Sequence, residues 1–119
     1  NKNYREKMTL TIQNIEEAKE VIKKNNVVLF MKGTKDMPGC GFSAHVVQIL
    51  NNLNISYVDI DILNDNNFKE NIKKFTNWPT FPQLYVKGEF IGGCDIVKEM
   101  FETGELLELF NTKGIDVRT

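Results

Sequence analysis

Cys40 is followed three residues later by Ser43, and the pair stands just after Pro38-Gly39, where a loop gives way to a helical pattern. A cysteine at a helix start faces unpaired backbone N–H groups and the positive end of the helix dipole. Both favour the thiolate and lower the thiol pKa from about 8.5. From placement alone an incidental buried cysteine remains an alternative. A dithiol redox cycle needs a second thiol close to the first. Here that place holds Ser43, a residue also common in a first helical turn, and Cys94 is the only other thiol in the chain. Lys32 ends an apolar run and by itself reads as a solvated lysine. Asp95 follows Gly92-Gly93-Cys94 and reads as an N-cap for the last helix. His45, with no partner in sequence, reads as a surface histidine.

The elements that must position these residues follow from periodicity. Ile12, Ile15, Ala18 and Ile22 recur at helical spacing, so residues 12–25 read as an amphipathic helix stopped by Asn25-Asn26. Val27-Val28-Leu29-Phe30-Met31 is a short dense apolar run that suits a buried central strand. The loop from Gly33 to Gly39 comes next. Phe42, Val46, Ile49, Leu50 and Leu53 mark a second helix ending near Asn54. Tyr57, Val58, Ile60 and Ile62 mark a second strand, and Phe68, Ile72 and Phe75 a third helix. Trp78-Pro79-Thr80-Phe81-Pro82 has two prolines within five residues and is not regular helix. Leu84-Tyr85-Val86 and Glu89-Phe90-Ile91 form a hairpin about Lys87-Gly88, and a helical end follows, interrupted at Gly104. A βαβ crossover is parallel and a tight hairpin antiparallel. The order α-β-α-β-α-β-β-α therefore predicts an α/β domain with a mixed four-stranded sheet and helices on both faces.

Composition narrows the function classes. The 119 residues suit one domain with its own core. Fifteen Lys and Arg nearly cancel 16 Asp and Glu, leaving a formal charge of −1. That argues against a nucleic-acid binder working through bulk positive charge. The longest unbroken apolar run, Val27 to Met31, is too short to span a membrane. Two cysteines are too few for a disulfide-stapled scaffold.

Cys40-Gly41-Phe42-Ser43, read with Met31-Lys32-Gly33, with Trp78-Pro79-Thr80-Phe81-Pro82-Gln83 and with Gly92-Gly93-Cys94-Asp95, resembles the monothiol, CGFS-type glutaredoxins. Four motifs in the right order span roughly residues 12–110. The resemblance implies a thioredoxin-like fold, with a glutaredoxin domain at 12–112 between a flexible segment, 1–11, and a tail, 113–119. It makes Cys40 the active-site thiol, carrying glutathione as a mixed disulfide or ligating an iron–sulfur cluster. It gives Lys32 a contact to glutathione and to the thiolate, and adds Phe42 and Thr80 to the glutathione site. Phe81, before a cis-proline at Pro82, would pair its backbone with the cysteinyl group as an extra strand. Gly93, Cys94 and Asp95 would grip the γ-glutamyl end. Lys69 stands where relatives often carry an arginine for the glycyl carboxylate; it keeps the charge and loses the bidentate fork.

A [2Fe–2S] cluster usually takes four thiolates. One chain offers Cys40 and, at most, Cys94. Two chains and two glutathiones supply four, which is the arrangement the resemblance implies, with a homodimer bridged by the cluster. The expected function is a carrier passing the cluster to apo iron–sulfur proteins, with no nucleic acid or membrane as partner. The alternative is a glutathione-dependent oxidoreductase that deglutathionylates proteins. A Cys40–Cys94 disulfide is left open. Single-domain relatives occur in mitochondria, plastids and bacterial cytoplasm. Because the sequence starts at Asn1 rather than Met, a mitochondrial location is the expectation.

Overall fold

The computed structural model of the chain describes residues 14–117. Helix α1 (Ile15–Lys24) leads into β1 (Val27–Met31), α2 (Gly41–Asn52), β2 (Val58–Asp61), α3 (Asn66–Thr76), β3 (Gln83–Val86) and β4 (Glu89–Gly92), then α4 (Cys94–Thr103) and α5 (Glu105–Thr112). The expected order is reproduced. Ile12 and the segment 1–11 lie outside the described residues. The Asn14 side chain caps α1 by accepting the Glu17 N–H at 2.9 Å, and extended backbone at Asn25 stops it. Gly104, with φ of +87°, splits the last helical stretch into α4 and α5.

The sheet runs β2-β1-β3-β4. β1 pairs with β2 in parallel and with β3 antiparallel, and β3 with β4 antiparallel. Lys87 and Gly88, both at positive φ, make the two-residue turn between β3 and β4. All five residues of β1 are buried, because both faces of the sheet are covered. Successive side chains of a strand point to opposite faces. Val27, Leu29 and Met31 accordingly join one core with residues of α2, α4 and α5, while Val28 and Phe30 join the other with residues of α1 and α3. Past Thr112 the chain still packs: Ile115 is buried, and its N–H reaches the Phe110 carbonyl at 2.8 Å. Two apolar positions of the sequence pattern are exposed instead. Phe75 lies under Lys19 Nζ at 5.5 Å from its ring, and Phe42 is 65% exposed beside Cys40.

Phe30 is fully buried and meets Tyr85 edge-on at 5.6 Å between ring centroids. Truncating it leaves a cavity that the two-sided packing cannot close. Phe30→Ala should lower the unfolding free energy by about 3–5 kcal/mol. Leu107→Ala, at an exposed position, should change it by no more than about 0.5 kcal/mol. Urea unfolding of both variants checks this, and equal losses would contradict the burial.

Candidate functional site

The central strand and helix α2 meet at Cys40. β1 ends at Met31, and Lys32 begins a loop that closes on itself: Gly39 N–H donates to the Lys32 carbonyl at 2.7 Å, and Thr34 and Met37 exchange backbone bonds. Gly33 has φ of +85°, and a Cβ there would lie 2.5 Å from Gly39 N and Met37 O, so only glycine allows the return. Cys40 follows as the N-cap of α2 in extended backbone.

Ser43 is wholly buried and does more than sit in a first turn. Its hydroxyl oxygen accepts the Lys32 N–H at 3.2 Å and lies 3.4 Å from Cys40 Sγ, which also accepts the Ser43 N–H at 3.4 Å. The thiol donates to that oxygen; once Sγ is ionised, the hydroxyl proton turns towards it. Burial pushes the Cys40 pKa up. The Ser43 hydroxyl, the Ser43 and Phe42 N–H groups and the Lys32 charge together outweigh burial and hold it below the ordinary thiol value. Cys94 shows the reverse. Burial and the Asp95 carboxylate raise its pKa, Lys98 opposes them weakly, and the nearby Cys40 adds to the rise. Both cysteines are free thiols in this structure.

Beside Cys40 a groove of about 380 Å³ opens, within the usual range of small-ligand clefts, about 300–1,000 Å³. It is lined by Lys32 and Phe42, by Lys69 on α3, by Thr80 and Phe81 of what we call the floor loop, and by Gly93, Cys94 and Asp95 at the start of α4. Eight of the nine residues assigned to glutathione by resemblance therefore converge on one cavity. Pro82 is the exception; it does not line the groove, although the Phe81–Pro82 bond is cis as expected. Lys73, Trp78, Pro79 and Ile96 also line it. Lys73 was legible in principle, since it lies one helical turn after Lys69 on the same face. Its Nζ also meets Glu70 Oε2 at 3.2 Å.

Gln83, wholly buried, holds the floor loop. Its Nε2 donates to the carbonyls of Trp78 at 3.2 Å and Thr80 at 3.1 Å. Gly93 lets α4 approach this loop, since a Cβ there would sit 3.2 Å from Trp78 Nε1 and 3.3 Å from the Pro82 carbonyl oxygen. One expectation is corrected here. Asp95 is not the N-cap of the last helix: Gly93 takes that position without a side-chain cap bond, and Asp95 lies in the first turn. A side chain at 93 would be crowded by the floor loop, and the helix starts there, two residues earlier than a capping aspartate demands. Its carboxylate is exposed and lines the groove. His45 is half-buried rather than on the open surface. Among the described residues no group of three or more His, Cys, Asp and Glu side chains could hold a metal ion.

A thiol at the head of a helix, next to a cis-proline loop and on a β2-β1-β3-β4 sheet, defines a thioredoxin-like thiol protein. The glutaredoxin family model matches residues 27–91. The Rickettsia typhi protein named "Probable monothiol glutaredoxin 2" is 58% identical over 94 residues, 79% of this chain and 85% of that one. The Arabidopsis thaliana chloroplastic monothiol glutaredoxin-S14 is 54% identical over 99 residues, 83% of this chain and 57% of that one. The solved structure of a monomeric truncated mutant of Trypanosoma brucei 1-C-Grx1 superposes with a TM-score of 0.83 at 35% identity, covering 92% of this chain and 99% of that one. This chain belongs to the glutaredoxin family, in its monothiol branch.

The relay through Ser43 makes a direct prediction. Ser43→Ala removes the strongest influence lowering the Cys40 pKa. The midpoint of Cys40 alkylation against pH should start below the ordinary thiol value, about 8.5, and move up in the variant. Peptide mass spectrometry separates Cys40 from Cys94, whose midpoint should lie above Cys40's in the unaltered protein. Identical Cys40 profiles with and without the hydroxyl would exclude the relay.

Proposed function

We propose that the protein binds glutathione in the groove beside Cys40 and, as a pair of chains, carries a [2Fe–2S] cluster to apo iron–sulfur proteins. The observation that carries this reading is a thiolate-prone cysteine whose neighbours Lys32, Phe42 and Cys94 line a groove with charges that suit a tripeptide. Glutathione has two carboxylates and one ammonium. Lys32, Lys69 and Lys73 supply positive charge for the glycyl carboxylate. The first turn of α4, which starts at an uncapped Gly93, offers backbone N–H groups to the γ-glutamyl carboxylate, and Asp95 suits the adjacent ammonium. The backbone at Phe81, before the cis-proline, offers pairing to the cysteinyl residue between them.

The donor inventory argues for sharing. The whole chain has two cysteines and one histidine, and burial and Asp95 raise the Cys94 pKa, which disfavours its thiolate. Four thiolates are met by two Cys40 side chains and two glutathiones. Half the ligands are then exchangeable small molecules. An acceptor's thiolates can replace them one for one, without net electron transfer.

A second reading draws on the same lowered Cys40 pKa. The thiolate attacks the glutathionyl sulfur of a protein–glutathione disulfide and the protein thiolate leaves. A second glutathione thiolate then attacks the Cys40 mixed disulfide, releasing glutathione disulfide and restoring Cys40.

Anaerobic reconstitution with iron, sulfide and glutathione should yield a coloured dimer holding one cluster and two glutathiones. Cys40→Ser should abolish the colour, Cys94→Ser should leave most of it, and Asp95→Ala should weaken assembly. Since Asp95 does not cap α4, thermal stability should change little. A coloured monomer that yields no low-mass thiol on extraction would reject the shared-ligand model. Robust turnover of a small glutathione mixed disulfide by a chain that assembles no cluster would favour the second reading.

A further inference from the structure

Two carboxylates on the edge strand β2 hold the loop that delivers Cys40. Asp61 Oδ1 accepts the Gly33 N–H at 3.0 Å and the Leu63 N–H at 2.9 Å. Asp59 Oδ2 accepts the Lys35 N–H at 2.8 Å, while Lys35 Nζ reaches the Tyr57 carbonyl at 3.2 Å. Asp61 is spent on backbone N–H groups of the loop and of the chain just past β2, and Asp59 pairs with both the backbone N–H and, at 3.9 Å, the ammonium of Lys35; neither lines the groove. A carboxylate accepting backbone N–H groups makes charge-assisted bonds, stronger than neutral ones. Two such bonds to a single oxygen on a strand end fix the course of the chain on either side.

The position they fix matters. The backbone at Lys32 and Gly33 meets three partners in succession. Lys32 N–H donates to Ser43 Oγ, Lys32 C=O accepts from Gly39 N–H, and Gly33 N–H donates to Asp61. The first partner is on α2, the second immediately precedes Cys40, and the third belongs to the sheet edge. Asp61 therefore adds a side-chain tie between this junction and the sheet edge, beside the backbone bond from Ile62 N–H to the Met31 carbonyl at 2.9 Å. The Lys32 N–H occupies an acceptor site on Ser43 Oγ and holds that oxygen beside Sγ, where its proton can turn to the sulfur once the thiol is ionised. In a chain of hydrogen bonds each bond polarises the next.

We propose that Asp61, seconded by Asp59, is a positioning residue for the Cys40 thiolate: it anchors the Gly33–Gly39 loop to β2, and so holds Lys32 N–H on Ser43 and Ser43 on Cys40. Its relevance to cluster carriage rests on the function proposed above. The positioning itself is a property of the apo chain and is read there.

The test compares Asp61→Ala with Asp61→Asn, read by the pH profile of Cys40 alkylation in the apo protein with peptide-resolved mass spectrometry. Asp61→Asn keeps a carbonyl oxygen for both N–H groups; Asp61→Ala leaves them without an acceptor. Asp61→Ala should raise the Cys40 midpoint by about 0.5 unit, a roughly threefold loss of thiolate below the midpoint, and speed amide exchange at Gly33 and Leu63 together. Asp61→Asn should restore most of both. Should Asp61→Ala fail to fold, the same profile is read on Asp59→Ala, which should shift in the same direction by less, and on Asp61→Asn. A folded Asp61→Ala with an unchanged Cys40 profile overturns the proposal, whatever its melting temperature, because a purely structural role lowers stability without moving the thiol. With Asp61→Ala unfolded, an unchanged profile in Asp59→Ala overturns it as well. Failure of the unaltered protein to assemble a cluster, with the shift present, would instead reject the proposed function and leave the positioning role standing.

Discussion

The bond from Lys32 N–H to Ser43 Oγ joins the end of the central strand to the first turn of α2, and the rest of the site is arranged about it. β1 is buried on both faces, so its end has little freedom. The loop must leave that end, turn and return to the same carbonyl before Cys40. Ser43, wholly buried, receives the first N–H past the end of that strand. Left unmade, a buried bond of this kind costs about 1–3 kcal/mol. The fold therefore holds the hydroxyl beside the thiol whether or not a ligand is present.

The two cysteines show what this bond changes. Both line or adjoin one groove and both are partly buried, and burial raises both pKa values. Only Cys40 has N–H groups and a hydroxyl aimed at its sulfur. Cys94 meets a carboxylate instead, and its pKa is raised. One chain thus offers one ready thiolate and one reluctant thiol. That difference comes from the hydrogen bonds and charges around each sulfur rather than from depth.

The groove is built from four segments; beside the one carrying Lys32 and Phe42, three more are each held by something other than the ligand. α3 supplies Lys69 and Lys73 because its apolar stripe, Phe68 and Ile72, is turned into the core. The floor loop is held from beneath by Gln83. The α4 terminus closes on that loop because Gly93 has no side chain in the way. A nearly neutral chain in this way gathers three lysines against one aspartate in a small cleft, and the local field favours an anion although the net charge does not.

Much of this was legible in the sequence. Alternation and helical period set every element and the mixed sheet. The Pro-Gly loop before a helical pattern placed Cys40 at a helix start, and the motif resemblance brought Lys32, Lys69 and Asp95 to one site. Those features are local, or depend on short-range periodicity that a single strand or helix must obey. What the tertiary structure decided was contact between segments. Ser43 gained a partner eleven residues away, Asp61 one 28 residues away, and Gln83 was drawn beneath a loop that it follows. Asp95 lost its cap role because the packing of Gly93 on Trp78 and Pro82 set where α4 begins. A residue's type states which bonds it is able to make; only the folded chain states which groups stand close enough to make them.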